Sequence, residues 1–192
     1  MEFDKLQEET IDRIGEKRFA HTLRVMEKAE ELALIHNIDP EKAKVAAFFH
    51  DSMKIKGGGA LEKEAEKYKL PFREEWKEIP SIAHGYLAAE MIKTEYGITD
   101  EEILNAIRYH TTGRAGMSSL EILIYLADYI EEGREFPGVE KIRSVAKNNL
   151  EEAFDMALGN TIRFLIEKKQ KISIDSILCW NERVNKKHEE LY

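Results

Sequence analysis

Val45-Ala46-Ala47-Phe48-Phe49-His50-Asp51 carries an apolar segment straight into an imidazole and a carboxylate set side by side. A helix that is apolar on all sides is a buried helix. His50 and Asp51 at its end must therefore find hydrogen bonds, an ionic partner or a metal to offset the loss of water. The start of this helix is equally plain, because Asp39-Pro40 joins an N-cap residue to a proline at the first helical position. A His-Asp dipeptide alone is just as well explained by a hydrogen-bonded core histidine and an aspartate that ends the helix. What decides between the two is whether other ligand-type residues lie on apolar helix faces elsewhere in the chain.

The chain is built to form such faces. With 192 residues, 43% of them hydrophobic, it is long enough for one domain with a substantial core. Only 4 prolines and 11 glycines interrupt it, and the segments between them have helical periodicity with few β-branched runs, which predicts an all-α domain spanning 1–192. Its core is expected over about 16–131, with the C-terminal helices of about 139–192 packed on it. Net charge of -8 and a pI near 5.4 leave no general basic field for nucleic acid or an anionic membrane, so a polyphosphate ligand needs local cations or metal. The single cysteine, Cys179, excludes an internal disulfide and reads as a small core residue of a protein in a reducing compartment. No apolar run is long enough to span a bilayer, and a soluble, cytoplasmic protein is expected.

Working outward from His50-Asp51, a first helix is predicted over Asp4 to Ile14, then Gly15 as a break, then a long helix over Glu16 to His36. At roughly 100° per residue, Ile14, Val25 and Leu32 fall within about 40° of His21, which points His21 at the core. Lys28 shares that stripe. Phe19, Leu23 and Met26 form a second apolar face, which suggests that this helix runs through the middle of a bundle. Lys54-Ile55-Lys56-Gly57-Gly58-Gly59 must be loop, and 61–79 reads as charged helix and turn without chemistry.

Beyond it, His84, Leu87, Ala88 and Met91 share one helix face. Ile103, Ala106, Ile107 and His110 share another, behind a cap at Thr99-Asp100. Leu120 to Ile130 is apolar nearly all round except for Glu121 and Asp128. His36 and His188 lie beside polar ends and read as surface residues.

His21, His50, Asp51, His84, His110 and Asp128 thus fall on core-facing sides or ends of five separate helices. Each would otherwise need its own buried partner. A shared metal accounts for all of them, and helical bundles build metal sites in this way. The set offers only nitrogen and oxygen donors, suited to iron, manganese, zinc or cobalt.

The order of these residues resembles the HD-domain metal-dependent phosphohydrolases. The words Lys17-Arg18-Phe19-Ala20-His21-Thr22-Leu23-Arg24-Val25, Phe49-His50-Asp51-Ser52-Met53-Lys54, Tyr109-His110-Thr111-Thr112-Gly113, Tyr125-Leu126-Ala127-Asp128-Tyr129-Ile130 and Gly133-Arg134-Glu135-Phe136-Pro137-Gly138-Val139 are similar to those of the YqeK family. That family comprises symmetrical diadenosine-tetraphosphate hydrolases, and the likeness covers nearly the whole chain. The sequence departs from the family pattern at Glu132, where the family carries proline, and in the tail before Trp180-Asn181, which lacks a Tyr-Pro pair.

The resemblance implies a single-domain HD helical bundle that hydrolyses diadenosine tetraphosphate and related dinucleoside polyphosphates to two ADP, by attack of a metal-activated hydroxide on phosphorus. It implies His21, His50, Asp51 and Asp128 as ligands of iron, with manganese or another divalent ion possible. His84 and His110 either complete a second metal site, Asp51 bridging, or contact phosphate. Asp51 and Lys54 are the catalytic candidates. Substrate contacts are expected from Lys54, His84, His110, Thr111 and Arg134, and from Ile172, Ser173, Ile174, Asp175 and Ser176 along the nucleotide pocket. Arg24, Arg114 and Arg143 are weaker phosphate candidates. A nucleotidase or nucleoside-triphosphate phosphohydrolase, or a metal-stabilised nucleotide sensor without turnover, would use the same residues. A small nucleotide is the expected partner, and a homodimer is open.

Overall fold

The computed structural model describes residues 3–54 and 61–189, with side chains for 6–54 and 61–186. Among them the regular structure is entirely helical: α1 (Phe3–Ile14), α2 (Glu16–His36), α3 (Pro40–Phe49), α4 (Leu61–Lys67), α5 (Glu75–Glu78), α6 (Ala83–Glu95), α7 (Glu101–Tyr109), α8 (Ser119–Ile130), α9 (Val139–Ala146), α10 (Leu150–Glu167) and α11 (Ile174–Glu189). A 3-10 turn, Pro80–Ile82, leads into α6. The glycine stretch Gly57-Gly58-Gly59 and the side chain of His188 lie outside the described residues.

The helix boundaries follow local chemistry. Gly15 separates α1 from α2 at φ +82°, a left-handed backbone that a side chain would strain. Asp39 accepts from the amides of Glu41 and Lys42 (2.9 and 3.2 Å), satisfying two donors that the first turn of α3 leaves open. Asp100 caps α7 through the amide of Glu102 (2.9 Å), and Ser118 and Glu121 form a capping box at the start of α8.

One core runs from Leu6 in α1 to Cys179 in α11, and α3, α6, α7 and α8 supply most of its fully buried side chains. The apolar run that opens the argument is enclosed as expected: Ala46 and Ala47 are fully buried, with Phe48, Phe49 and His50 beside them. Helix α2 packs on α1, α3 and α8. It does not run through the middle of the bundle, because Leu23, Leu34 and Ile35 remain 42%, 66% and 43% exposed. Lys28, the awkward member of its inward stripe, is buried because Glu31 (2.5 Å) and Glu132 (2.8 Å) both hold its ammonium. Glu132 thus has a structural partner where the family has proline.

His36 is likewise not a free surface residue. It is half-buried, and its Nε2 lies 2.7 Å from the Ala146 carbonyl, tying the end of α2 to α9. The α6–α7 crossing is unusually close. A Cβ on Gly85 would stand 2.8 Å from the carbonyl oxygens of Ile107 and Arg108, so only glycine fits here. That contact brings His84, one residue before Gly85, against His110 at the end of α7.

Candidate metal centre

Five helices bring the six ligand-type residues to one place. His21 comes from the first half of α2, His50 and Asp51 from the end of α3, His84 from the first turn of α6, His110 from the C-cap of α7, and Asp128 from the last turn of α8. Their donor atoms form three overlapping triads: His21, His50 and Asp51; His50, His110 and Asp128; Asp51, His84 and His110. Within each triad the donor atoms lie within 4.8 Å of one another. His50, Asp51 and His110 each serve in two.

The rings are held in one orientation. His50, His84 and His110 each present Nδ1 to a carbonyl three residues back, that of Ala47 (2.6 Å), Ser81 (2.6 Å) and Ile107 (2.7 Å). A backbone carbonyl can only accept, so Nδ1 donates and the neutral ring keeps its lone pair at Nε2, facing the cluster. There the Nε2 atoms of His84 and His110 stand 3.0 Å apart, with Asp51 Oδ1 3.1 Å from His84 and 3.7 Å from His110. Lone pairs and a carboxylate that close repel one another unless a cation lies among them.

His50 makes the same point more sharply. Its Nε2 is buried without a hydrogen-bond partner, a costly state for a neutral imidazole unless an electron-pair acceptor takes it up. Burial also pushes its pKa down to about 4, so it is a neutral donor at physiological pH. The residues present therefore fit a divalent transition metal.

Charge around the cluster is arranged to keep both aspartates ionised. Burial by itself would raise the pKa of Asp51, but its close contacts with His50, His110 and His84, each able to take up a positive charge, outweigh it and hold the carboxyl below the usual range. Arg18 (2.7 Å to Oδ2) and Lys54 (3.2 Å to Oδ1) add two cations. Asp128 is lowered in the same way, burial being overcome by the His21 hydrogen bond and by nearby His50, Arg134 and His110. His21 sits between Asp128 (3.0 Å from Nε2) and Glu131 (3.1 Å from Nδ1). Glu131 is 2% exposed and is itself held by Arg24 at 2.6 Å.

Two cavities flank the cluster. One, of about 740 Å³, is bordered by Lys17, Arg18, Arg24 and Lys54 as well as His21 and Asp51. It concentrates positive charge in an acidic protein. The other, of about 590 Å³, begins at His110, Thr111 and Asp128 and runs between α8 and α10 past Tyr129, Phe136 and Phe164. Arg134 borders both, donating to the Asp128 carboxylate at 2.6 Å. Thr111 lies at the turn where α7 ends, and Gly113 (φ +66°) closes that turn with its amide on the Tyr109 carbonyl at 2.8 Å.

The tail segment stands elsewhere. Ser176 Oγ donates to the Thr112 carbonyl (2.8 Å), Asp175 accepts from Tyr86 (2.6 Å) and Arg73 (3.0 Å), and the Ile174 amide reaches Glu75 (2.8 Å). Neither flanking cavity is lined by Ile172, Ser173, Ile174, Asp175 or Ser176. Two further cations are not at the site. Arg114 is spent bidentately on the buried Glu121 carboxylate (2.6 and 2.9 Å), and Arg143 on the carbonyls of Ile130, Glu131 and Arg134. Residues 61–79 also do more than form charged turns, since Trp76 is fully buried and Arg73 reaches Asp175.

Sequence reasoning missed Arg18 and Glu131. A signal existed for each: Arg18 lies three residues before His21, hence on the same helix face, and Glu131 lies three after Asp128.

With this geometry in view, comparison with known proteins is direct. Residues 18–133 match the HD domain. The chain is 42% identical over 174 residues to a symmetrical bis(5'-nucleosyl)-tetraphosphatase of Halalkalibacterium halodurans, covering 88% of this chain and 90% of that protein. It is 40% identical over 168 residues to the protein of the same name from Bacillus subtilis, with the same coverage of 88% and 90%. A crystal structure from Clostridium acetobutylicum, described as an HD superfamily hydrolase involved in NAD metabolism, superposes with a TM-score of 0.92 at 38% identity, over 97% of this chain and 98% of that one. The segment from Arg18 to Gly133 that holds every member of the cluster is thus an HD domain, and the chain belongs to the HD-domain family.

Proposed function

We propose that the protein is a metal-dependent phosphohydrolase that cleaves diadenosine tetraphosphate and related dinucleoside polyphosphates symmetrically, releasing two ADP. One observation carries this reading. A cluster of inward Nε2 and carboxylate donors, including the orphaned Nε2 of His50, opens on a strongly basic cavity in a protein of net charge -8. The names of the relatives with 42% and 40% identity support the substrate.

In this reading His21, His50, Asp51 and Asp128 hold the metal, and iron is the ion proposed, with manganese or another divalent ion as an alternative. A bound metal of this kind supplies Lewis acidity, bringing the pKa of water towards neutrality and polarising a phosphoryl oxygen. His84 and His110 would either hold a second ion together with Asp51 or contact phosphate, and the triad they form with Asp51 supports the first arrangement. Lys54 and Arg18, both already on the Asp51 carboxylate, neutralise the substrate's phosphates on one side, and Arg134 does so between the two cavities. Thr111 supplies a hydroxyl donor. Residues 172–176, held on the Thr112 carbonyl by Ser176, form the wall for one nucleoside, with Ile174 presenting an apolar side chain that is 63% exposed. A reducing cytoplasm is the proposed location, on the strength of the unpaired and buried Cys179. Among the described residues no helix is long and apolar enough to cross a membrane.

Product analysis tests the reaction. With diadenosine tetraphosphate and iron or manganese, ADP is expected as the sole nucleotide product. AMP with ATP, or an inert dinucleotide beside rapid loss of a nucleoside triphosphate, would replace this reading with that of a general nucleotide phosphohydrolase.

A further inference from the structure

Beyond His110, Thr111, Asp128 and Arg134 at its mouth, the residues that line the cavity between α8 and α10 hold neither metal nor phosphate, yet they build an aromatic slot that opens on the cluster. Tyr125 and Tyr129 stack along α8 at 6.3 Å and 20°, and Phe136 meets Tyr129 edge-on at 5.0 Å. Tyr125 is fixed by a 3.1 Å hydrogen bond to Thr161 of α10. One wall is therefore rigid before any ligand arrives. Phe164 of α10 borders the same space and is 52% exposed, in the half of α10 that follows the buried Leu150, Phe154 and Leu158. The volume, about 590 Å³, is that of a small-molecule site. Asn160 stands at the edge of the wall, its Oδ1 accepting from Arg163 at 3.5 Å, and its amide hydrogens can reach an acceptor on a base.

A dinucleoside polyphosphate cut at its centre carries a nucleoside on each side of the reacting phosphates, so a site for it needs two base-binding regions diverging from the cluster. The tail at 172–176 lines neither cavity, and the basic cavity is bordered by cations without an aromatic side chain. We propose that the slot formed by Tyr129, Phe136 and Phe164, with Asn160 at its edge, binds the second nucleoside of the substrate, its phosphates passing Arg134 on the way to the cluster. This rests on the reading of the substrate as a dinucleoside polyphosphate.

Calorimetric titration of the metal-loaded protein with two uncleavable ligands tests the assignment. One is diadenosine tetraphosphate with a methylene in place of the central bridging oxygen, and the other is adenosine 5'-tetraphosphate with the same replacement. The wild type should bind the two-nucleoside ligand on the order of tenfold more tightly, as expected when one base gains an aromatic platform. The preference should fall to near unity in Phe164→Ala and return in Phe164→Trp. Phe164 is half-exposed, so its truncation leaves the fold intact, and Phe136→Ala provides a second, independent loss of platform. Equal binding of the two ligands by the wild type overturns the proposal, as does a preference that survives both alanine variants. No bond is cut in this measurement. Failure of the wild type to release ADP from diadenosine tetraphosphate, measured separately, would remove the reaction while the binding comparison still judges the slot.

Discussion

At the scale of single residues, the cluster is a set of side chains whose second atoms are already committed. His50, His84 and His110 spend Nδ1 on backbone carbonyls and His21 spends Nδ1 on Glu131, so every Nε2 faces the cluster, that of His50 without a partner and that of His21 on Asp128. Removing either aspartate takes away the negative charge that offsets a bound cation. Asp51→Ala and Asp128→Ala are each expected to lose metal, measured by elemental analysis, and to lower kcat by at least about a thousandfold, equivalent to several kcal/mol of transition-state stabilisation. Far-ultraviolet circular dichroism should stay helical, and full activity in either variant would remove the metal-site argument. Lys54 is different. It is 39% exposed at the rim of the basic cavity, so Lys54→Ala should leave metal content unchanged and raise KM roughly tenfold or more, the size of a lost hydrogen bond to a charged group. Loss of metal in that variant would move Lys54 from phosphate to the metal.

At the scale of elements, what positions the rings is helix packing, and the α6–α7 crossing leaves no room for a side chain at Gly85. In a helix interior alanine is ordinarily better than glycine by about 1 kcal/mol. At Gly85 the added Cβ would meet the carbonyls of Ile107 and Arg108 at 2.8 Å, and these are backbone atoms that cannot swing away. The Ile107 carbonyl is also the one that holds His110 Nδ1. Overpacking costs about 1–3 kcal/mol and so outweighs the gain in helix propensity. Gly85→Ala is therefore expected to lower the melting temperature and, by forcing α6 from α7, to cut activity more than the stability loss explains. A more stable and fully active Gly85→Ala would mean that the crossing is looser than described.

At the scale of the whole molecule, the proposed metal ties α2, α3 and α8 together and, if a second ion binds, α6 and α7 as well. An ion bound only by the folded state stabilises it by about 4 kcal/mol at a thousandfold excess over Kd. For a chain of this size that corresponds to a rise of about 10 °C in Tm. Stripping the metal with a chelator should lower Tm by that order, and adding it back should restore the original value. An unchanged Tm would argue that the cluster is satisfied by protons and hydrogen bonds alone. The ratio of metal to protein in freshly purified material decides between one ion and two.

How much of this could be read without a structure differs by kind of information. Helix starts were legible because they are local: Asp39-Pro40 and Asp100 act on amides two or three residues away. The inward faces of His21, His84 and His110 were legible because helical periodicity is local too. The partners of the charged side chains were not. The sequence could not show that Lys28 is buried between Glu31 and Glu132, that Arg114 belongs to Glu121, or that Arg143 caps the turn after α8, since sequence alone does not say which cation already has a partner. Nor could periodicity tell that α2 keeps one apolar edge in solvent. By itself, then, the sequence determined which residues are ligand-type and which faces they occupy. Tertiary structure alone decided which atom of each ring faces the cluster, which cations remain available, and that an aromatic slot between α8 and α10 opens beside it. Those depend on distances between elements far apart in the chain, set by packing and not by any local rule.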